Sequence, residues 1–475
     1  MALRVLARWG DDLCIDNLAA AAANTSCSSA FAGTGGAENS AHFARSALQH
    51  FWGGGQIETE NLWALESDQE CQHELMMLDR PPQHIFGDIC TAINPRVRPL
   101  LLEKAHMMNY EDLRNIFKKP GVLSPTLFCF CCQKEVAPAC ADCHVAGTEC
   151  VAWSSQGKRE GASGPRVLAW WVWVARRRQI QEPFFYHENV GQFPLSILIE
   201  ELGELYFIDE RNSAVCDAAN HGNSYTRASR LTIAVHRREM MSCLPIQRNL
   251  DTDGFVAFER ECRRQCGFTW QTYFLAEEPE LQAELAWANT RPQKKSEIAA
   301  SSSSGEDETI PVFPLSRRDF WDSSRKQETT WRNEYFAMCP NGVVLIGQNP
   351  QTHAQTNGGK RQLQPLIAKS DLYWSFHHCR WLLAQEGLII HNYPLLPEMV
   401  RFDALCSFNK KREDYRLPVR RRHAMKRQCG NGMVLSQMGP GWLWIWMARA
   451  STRSSSNGKS SLIIRAKRLK VSFSQ

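Results

Sequence analysis

The stretch from Gly147 to Val190 constrains this chain more than any other. Gly147-Thr148-Glu149-Cys150-Val151-Ala152-Trp153-Ser154 sets a cysteine in a tight loop after an apolar run. Phe184-Phe185-Tyr186-His187-Glu188-Asn189-Val190 closes a second apolar run on a Glu-Asn pair. Between them, Gly157–Pro165 is too glycine-rich for regular structure, and an apolar helix candidate with a basic end follows. Each apolar run reads as a buried parallel strand. Both groups then lie at strand carboxyl ends, where open α/β sheets bind ligands, and a nucleophile faces an acid across one cleft. Taken alone, Cys150 reads better as a small buried core residue, and the further motifs reverse that.

Three more strand ends follow the same pattern. Ser28-Ser29-Ala30 runs into Phe31-Ala32-Gly33-Thr34-Gly35-Gly36 and then a helix, a turn that lets backbone approach a cofactor closely. Leu62-Trp63-Ala64-Leu65 ends in Glu66, an acid suited to both hydroxyls of a ribose. His84-Ile85-Phe86 ends in Gly87-Asp88-Ile89, where Asp88 suits an adenine amine.

These motifs, in this order, resemble the DNA cytosine-5 methyltransferase family. Its Pro-Cys-Gln-x-Phe-Ser motif is echoed by Glu149-Cys150-Val151-Ala152-Trp153-Ser154, and its Glu-Asn-Val motif stands intact at Glu188-Asn189-Val190. The Gly turn, the acid and the Gly-Asp pair are similar to the family's S-adenosylmethionine site. Its Gly-x-Pro-Gln-x-Arg-x-Arg motif survives in part, with Gly222 kept, Ser224 and Tyr225 replacing Pro and Gln, and Arg227 and Arg230 in the arginine roles. Arg380 to Glu386, with Tyr393-Pro394, resembles the segment that packs the family's second domain on its first. Gln428-Cys429-Gly430-Asn431-Gly432-Met433-Val434 resembles the Gly-Asn-Ser-Val turn that, with a helix, closes over the cofactor.

The resemblance implies a Rossmann-like α/β sheet of about seven strands with helices on both faces, and a smaller irregular target-recognition domain. It implies methyl transfer from S-adenosylmethionine to carbon-5 of a flipped cytosine in double-stranded DNA. Catalytic roles fall to Cys150, Glu188, Asn189, Arg227 and Arg230. Cofactor contacts fall to Phe31, Ala32, Gly33, Gly35, Gly36, Glu66, Asp88, Ile89, Asn431 and Gly432. The same chemistry on RNA, and a silent nucleic-acid-binding relative, are the alternative readings. Three positions depart from the family: Glu149 for proline, Tyr225 for glutamine and Gly432 for serine. An acid at 149 is expected to raise the Cys150 pKa.

The implied organisation is an extension over 1–25, a catalytic domain over 26–237, a target-recognition region over 238–375, a return over 376–447 and a basic disordered tail over 448–475. Within the third unit, 292–308 is a Ser-rich, acidic low-complexity insert that reads as disordered. There the aromatics Phe255, Phe258, Phe268, Trp270, Tyr273 and Phe274 lie among arginines, which suits base stacking and phosphate contact.

Composition sets bounds on this reading. A chain of 475 residues, 43% hydrophobic and 22% charged, is long enough for two or three packed domains. No apolar run approaches the ~20 residues that span a bilayer, and no secretory segment stands at Met1–Trp9, so an intracellular monomer without membrane contact is expected, nuclear in a eukaryote. Net charge is only +5, yet basic clusters at Arg176-Arg177-Arg178, Arg260 with Arg263-Arg264, Arg420–Arg427 and Arg465–Lys470 are compatible with a phosphate backbone. The 18 cysteines form no small disulfide framework. Cys129, Cys131, Cys132, Cys140, Cys143 and His144 offer zinc-type ligands, Cys140-x-x-Cys143 among them, but the first group reads Cys-Phe-Cys-Cys and no metal is expected.

Overall fold

The structure, a computed structural model, describes residues 15–52, 60–78, 80–154, 161, 167–239, 254–267, 269–276, 278–290, 320, 326–346, 349–353, 356–357, 362–366, 373–393 and 433–453. The insert 292–308, the loop 157–165 apart from Gly161, Asn431, Gly432, the basic clusters at 420–427 and 465–470, and Phe268 lie outside the described residues.

A ten-stranded sheet forms the centre. Five strands run parallel: β1 (Ser26–Ala30), β2 (Glu60–Leu65), β3 (His84–Phe86), β6 (Cys143–Gly147) and β7 (Phe184–Val190). The hairpin of β4 (Leu127–Cys129) and β5 (Lys134–Val136) extends the β3 edge antiparallel. At the other side β8 (Tyr206–Phe207) and β9 (Ser213–Asp217) pair antiparallel with β10 (Ala228–His236), itself antiparallel to β7. The order is β5-β4-β3-β2-β1-β6-β7-β10-β8. Successive strands β1, β2 and β3 step one way, and β6 then starts on the opposite side of β1. The β1–β6 junction is therefore the point where the winding reverses, the usual ligand crevice of an open α/β sheet. The expected α/β sheet is present, and the β4–β5 hairpin and β9 carry it from the expected seven strands to ten.

Side chains alternate across the strands, so consecutive residues serve different cores. Phe184 and Tyr186 of β7 join Val145, Leu231 and Ile233 on one face. Helices α1 (Ile15–Ala23), α2 (Gly36–Trp52), α5 (Gly254–Glu261) and α6 (Leu435–Arg453) cover that face. Phe185 joins Trp63, Leu65 and Phe86 on the other, under α3 (Leu168–Ile180) and α4 (Leu195–Leu202). Helix α3 is apolar on every side over Leu168–Ala175, with Trp170, Trp171 and Trp173 fully buried, as a helix in the middle of a core must be. It stops where Gln181 turns left-handed at φ 57°.

Two expectations shift here. Helix α6 continues to Arg453, beyond the tail boundary at 448, because Trp442, Trp446 and Met447 are buried against α1 and α2. Trp442 donates to Ser40 Oγ at 2.9 Å, and Gly441 lies so close to the Tyr186 ring that a Cβ has no room. Helix α1 is likewise part of the core, since Leu18, Ala21 and Ala22 are buried, although 1–25 reads as an extension. Among the described residues no helix is long and apolar enough to cross a membrane.

A separate antiparallel sheet holds β11 (Val343–Leu345), β12 (Tyr373–Ser375) and β13 (Arg380–Trp381). Arg380 forms a buried two-bond pair with Glu386, at 2.8 and 2.7 Å, and Glu386 also accepts from Leu383 N and Ala276 N. Asn223 and Asn392 exchange amide hydrogen bonds at 3.1 and 2.8 Å, which ties the loop before β10 to this region.

Candidate active site

Strand β6 ends at Gly147, directly opposite Glu188 of β7. A Cβ at Gly147 would come within 2.7 Å of Met433 Cε and 3.4 Å of Glu188 Oε2, so a side chain here would have to displace the end of Met433. The chain then turns back on itself: the Cys150 carbonyl accepts from Trp153 N at 3.0 Å and Ser154 N at 2.8 Å. Trp153 anchors the turn by packing edge-on against Phe193, centroids 5.0 Å apart, and against Trp170 at 6.2 Å. Two β7 side chains fix the other end of the loop. Asn189 Nδ2 donates to the Thr148 carbonyl at 3.1 Å and to its Oγ1 at 2.8 Å. His187 Nε2 lies 2.7 Å from the same hydroxyl, and burial pushes this imidazole down to about 3.

The half-buried Cys150 thiol is set by opposing influences. Burial pushes its pKa up, the Arg227 guanidinium pulls it down, and Glu188 and then Glu149 push it up again. Glu149 is exposed and is the smallest of these named charges, so its brake on the thiol is weaker than that of burial or Glu188. Glu188 Oε1 accepts from Ser229 Oγ at 2.8 Å and stands 3.9 Å from Arg227 Nη2. Burial works against the Arg227 charge, but Tyr225, Glu188 and Cys150 raise its pKa further than burial lowers it. Cys150, Glu188 and Arg227 are thus one electrostatic group, and Asn189 holds the start of the loop that carries the thiol.

Arg230 is not part of that group. It pairs in register with Asn189, yet its Nη1 donates to Ser213 Oγ at 3.2 Å and faces Glu210 at 3.6 Å. The role assigned to it from the motif is not met by this geometry, because strand alternation turns it away from Ser229 and Glu188. Tyr225 is fully buried and pairs its hydroxyl with His391 Nε2 at 3.1 Å, a packing role.

The turn after β1 lies beside this group. Phe31, Gly33 and Gly35 all take positive φ, at 56°, 55° and 81°. Gly33 N donates to Glu66 Oε2 at 2.7 Å, and the Asp68 amide donates to Glu66 Oε1 at 2.8 Å. Glu66 is buried, and burial raises its pKa. Ala32 packs with Ala64, Leu75, Leu78 and Ile85 beneath the turn. Asp88 is exposed and caps a short helix through Cys90 N at 2.9 Å, while the Ile89 side chain is buried in the core. Met433 packs on Gly36 as well as Gly147, and Tyr393 accepts from Thr34 Oγ1 at 3.1 Å, so both later segments reach the crevice.

A ribose-bearing cofactor fits these residues. Among the described residues, a Cβ built on Gly33 meets nothing within 4 Å, so they leave space beside the acid at the end of β2. Glu38, in the first turn of α2, was missed from the sequence. Its Oε1 accepts from Ser29 Oγ, its buried Oε2 has no hydrogen-bond partner among the described residues, and burial raises its pKa. Its place directly after the glycine turn was the available signal.

Three sequence expectations find other partners. Arg177 pairs inside the core with Glu182, Arg178 with Glu201, and Arg176 with Gln179 and the Ser124 carbonyl, so this cluster faces no solvent phosphate. Phe255, Phe258, Trp270, Tyr273 and Phe274 are buried in hydrophobic clusters and offer no stacking surface. Of the metal-type residues, His144 is engaged by Ser28 Oγ at 2.8 Å and Trp173 Nε1 at 3.1 Å, and Cys143 is buried while Cys140 is exposed. Cys129 and Cys132 instead meet His84.

No family model and no curated protein matches this chain. Among solved structures it is similar to a prophage-encoded E. coli protein described as a DNA modification methyltransferase, at 12% identity and TM-score 0.39, over 90% of this chain and 98% of that one. It is also similar to the S. pombe Dnmt2 methyltransferase, at 10% identity and TM-score 0.38, over 89% and 98%.

Proposed function

We propose that this chain methylates carbon-5 of cytosine in DNA, with Cys150 as the covalent nucleophile and S-adenosylmethionine as the donor. One observation carries the reading: the glycine turn after β1 and the Cys150 loop after β6 are neighbours at the reversal of the sheet, with Glu188 opposite the latter.

Carbon-5 of an intact cytosine ring is a poor nucleophile. Addition of the Cys150 thiolate to carbon-6 makes carbon-5 the nucleophilic end of an enamine. Glu188 accepts from the exocyclic amine and, when protonated, donates to the ring nitrogen, which stabilises charge as the adduct forms. Arg227, close to both groups, favours the thiolate over the thiol. Asn189 holds Thr148 and so the start of the nucleophile loop. Glu66, the closely approaching backbone of the Gly33 turn and Asp88 would hold the cofactor, which supplies an electrophilic methyl group. Loss of the carbon-5 proton then lets the thiolate leave. The base must first leave the duplex stack, at a cost on the order of a few kcal/mol.

A fluorine at carbon-5 blocks that last proton loss. Incubating the protein with S-adenosylmethionine and a fluorocytosine duplex is expected to give an adduct that survives denaturation. Cys150→Ser should abolish it and Glu188→Ala should reduce it strongly with cofactor affinity kept. Adduct on RNA alone would change the substrate. No adduct on any duplex or RNA, with cofactor binding demonstrated, would overturn the proposal.

A further inference from the structure

The β4–β5 hairpin carries chemistry that methyl transfer does not use. Cys129 ends β4 and Cys132 lies three residues on, so the run Cys129-Phe130-Cys131-Cys132 contains a Cys-x-x-Cys pair overlapped by a third cysteine. The turn between them is tight: Gln133 takes φ 55° and its N–H donates to the Cys129 carbonyl at 2.8 Å. Phe130 N donates to the Ile85 carbonyl at 2.9 Å, which locks the hairpin onto β3 beside His84. His84 Nδ1 is 3.2 Å from Cys132 Sγ and 3.5 Å from Cys129 Sγ, and the three atoms all lie within 4.8 Å of one another.

Those spacings suit a tetrahedral ion. Zn–S bonds of about 2.3 Å and Zn–N bonds of about 2.0–2.1 Å place sulfur and nitrogen roughly 3.6 Å apart at the tetrahedral angle. Thiolate and imidazole together select zinc over oxygen-seeking ions such as magnesium or calcium. The other cluster of this kind among the described residues, Cys216, His221 and Glu259, is already occupied, because Glu259 pairs with both Arg263 and His221.

We propose that His84, Cys129 and Cys132 bind a structural zinc ion, with a water or an added ligand in the fourth position. The ion would pin the hairpin to the edge strand β3. Phe130 of the same turn lies against Gly87, where a Cβ would come within 2.9 Å of its ring, and Gly87 precedes Asp88. The site is thus remote from the thiol chemistry and supports the rim of the proposed cofactor crevice.

The test is metal content of the full chain, prepared under reducing conditions with zinc in the medium and measured by mass spectrometry. About one zinc per chain is expected, held by the three protein ligands. Cys129→Ser and Cys132→Ser should each lose it, and Cys131→Ser, at an exposed position outside the triad, should keep it. Cobalt substitution in the unmutated protein guards against variants that simply fail to fold: a thiolate-to-cobalt charge-transfer band supports the site. Absence of metal and of the cobalt band, retention of zinc in both serine variants, loss of zinc in Cys131→Ser, or a Cys129–Cys132 disulfide in place of the ion would overturn it. None of these readouts depends on methyl transfer, so failure here is distinguishable from failure of the proposed function.

Discussion

Asn189 divides its amide between two segments: Nδ2 reaches both oxygens of Thr148 at the start of the Cys150 loop, and Oδ1 accepts from Val190 N of its own strand at 2.8 Å. The residue beside the acid is therefore the residue that positions the thiol. Asn189→Ala leaves the buried Thr148 groups short of a donor, a change worth about 1–3 kcal/mol. Denaturant unfolding should show that loss, and fluorocytosine trapping should slow by more than tenfold with cofactor affinity unchanged. A variant that is destabilised but traps at the normal rate would separate loop position from chemistry and sink this expectation.

The Cys150 thiol should titrate above an ordinary thiol, because burial raises it more than Arg227 lowers it. Alkylation, followed by peptide mass spectrometry, should therefore accelerate as pH rises through and beyond the usual thiol range. Arg227→Ala removes the lowering charge, so its midpoint should move up. Glu188→Gln removes a raising charge, so its midpoint should move down, and Glu149→Pro should move it down by less. A larger shift from Glu149→Pro than from Glu188→Gln would contradict the order of influences at this site.

Glu66 joins the turn after β1 to the end of β2 through Gly33 N. Calorimetry with S-adenosylmethionine should show Glu66→Ala weakening binding by about 1–3 kcal/mol, the usual cost of stranding buried partners. Equal affinity in the unmutated protein and the variant would remove the cofactor assignment.

Most strand ends were readable because a short apolar run is stopped by a polar or glycine-rich segment, a purely local signal, while the serine-rich β1 was marked by the glycine turn after it. The α/β class follows from their repetition. Local signals also misled. Arg176, Arg177 and Arg178 look like a solvated run, but Glu182 and Glu201 reach them in the core, and the second of these stands 23 positions beyond Arg178. Phe258 and Trp270 look like stacking residues because arginines surround them in sequence, whereas burial depends on what packs from elsewhere: Trp444 comes against Phe258 from far along the chain. His84 stands 45 positions from Cys129, so no spacing rule could join it to the cysteines. Arg230 was misplaced by motif register, which strand alternation decides one residue at a time.

Helix α6 meets Ser40 through Trp442 across 402 positions of sequence. During synthesis, β10 leaves the ribosome long before the helix that covers it. At ~5–20 residues per second the delay is on the order of ten to forty seconds. Throughout that interval Tyr186, Leu231 and Ile233 present part of an apolar sheet face without its last cover. Such a face invites association with other nascent chains, so a chaperone that shields it would raise the yield of folded protein. A chain cut before residue 435 would keep its cysteine loop and glycine turn and still expose that face.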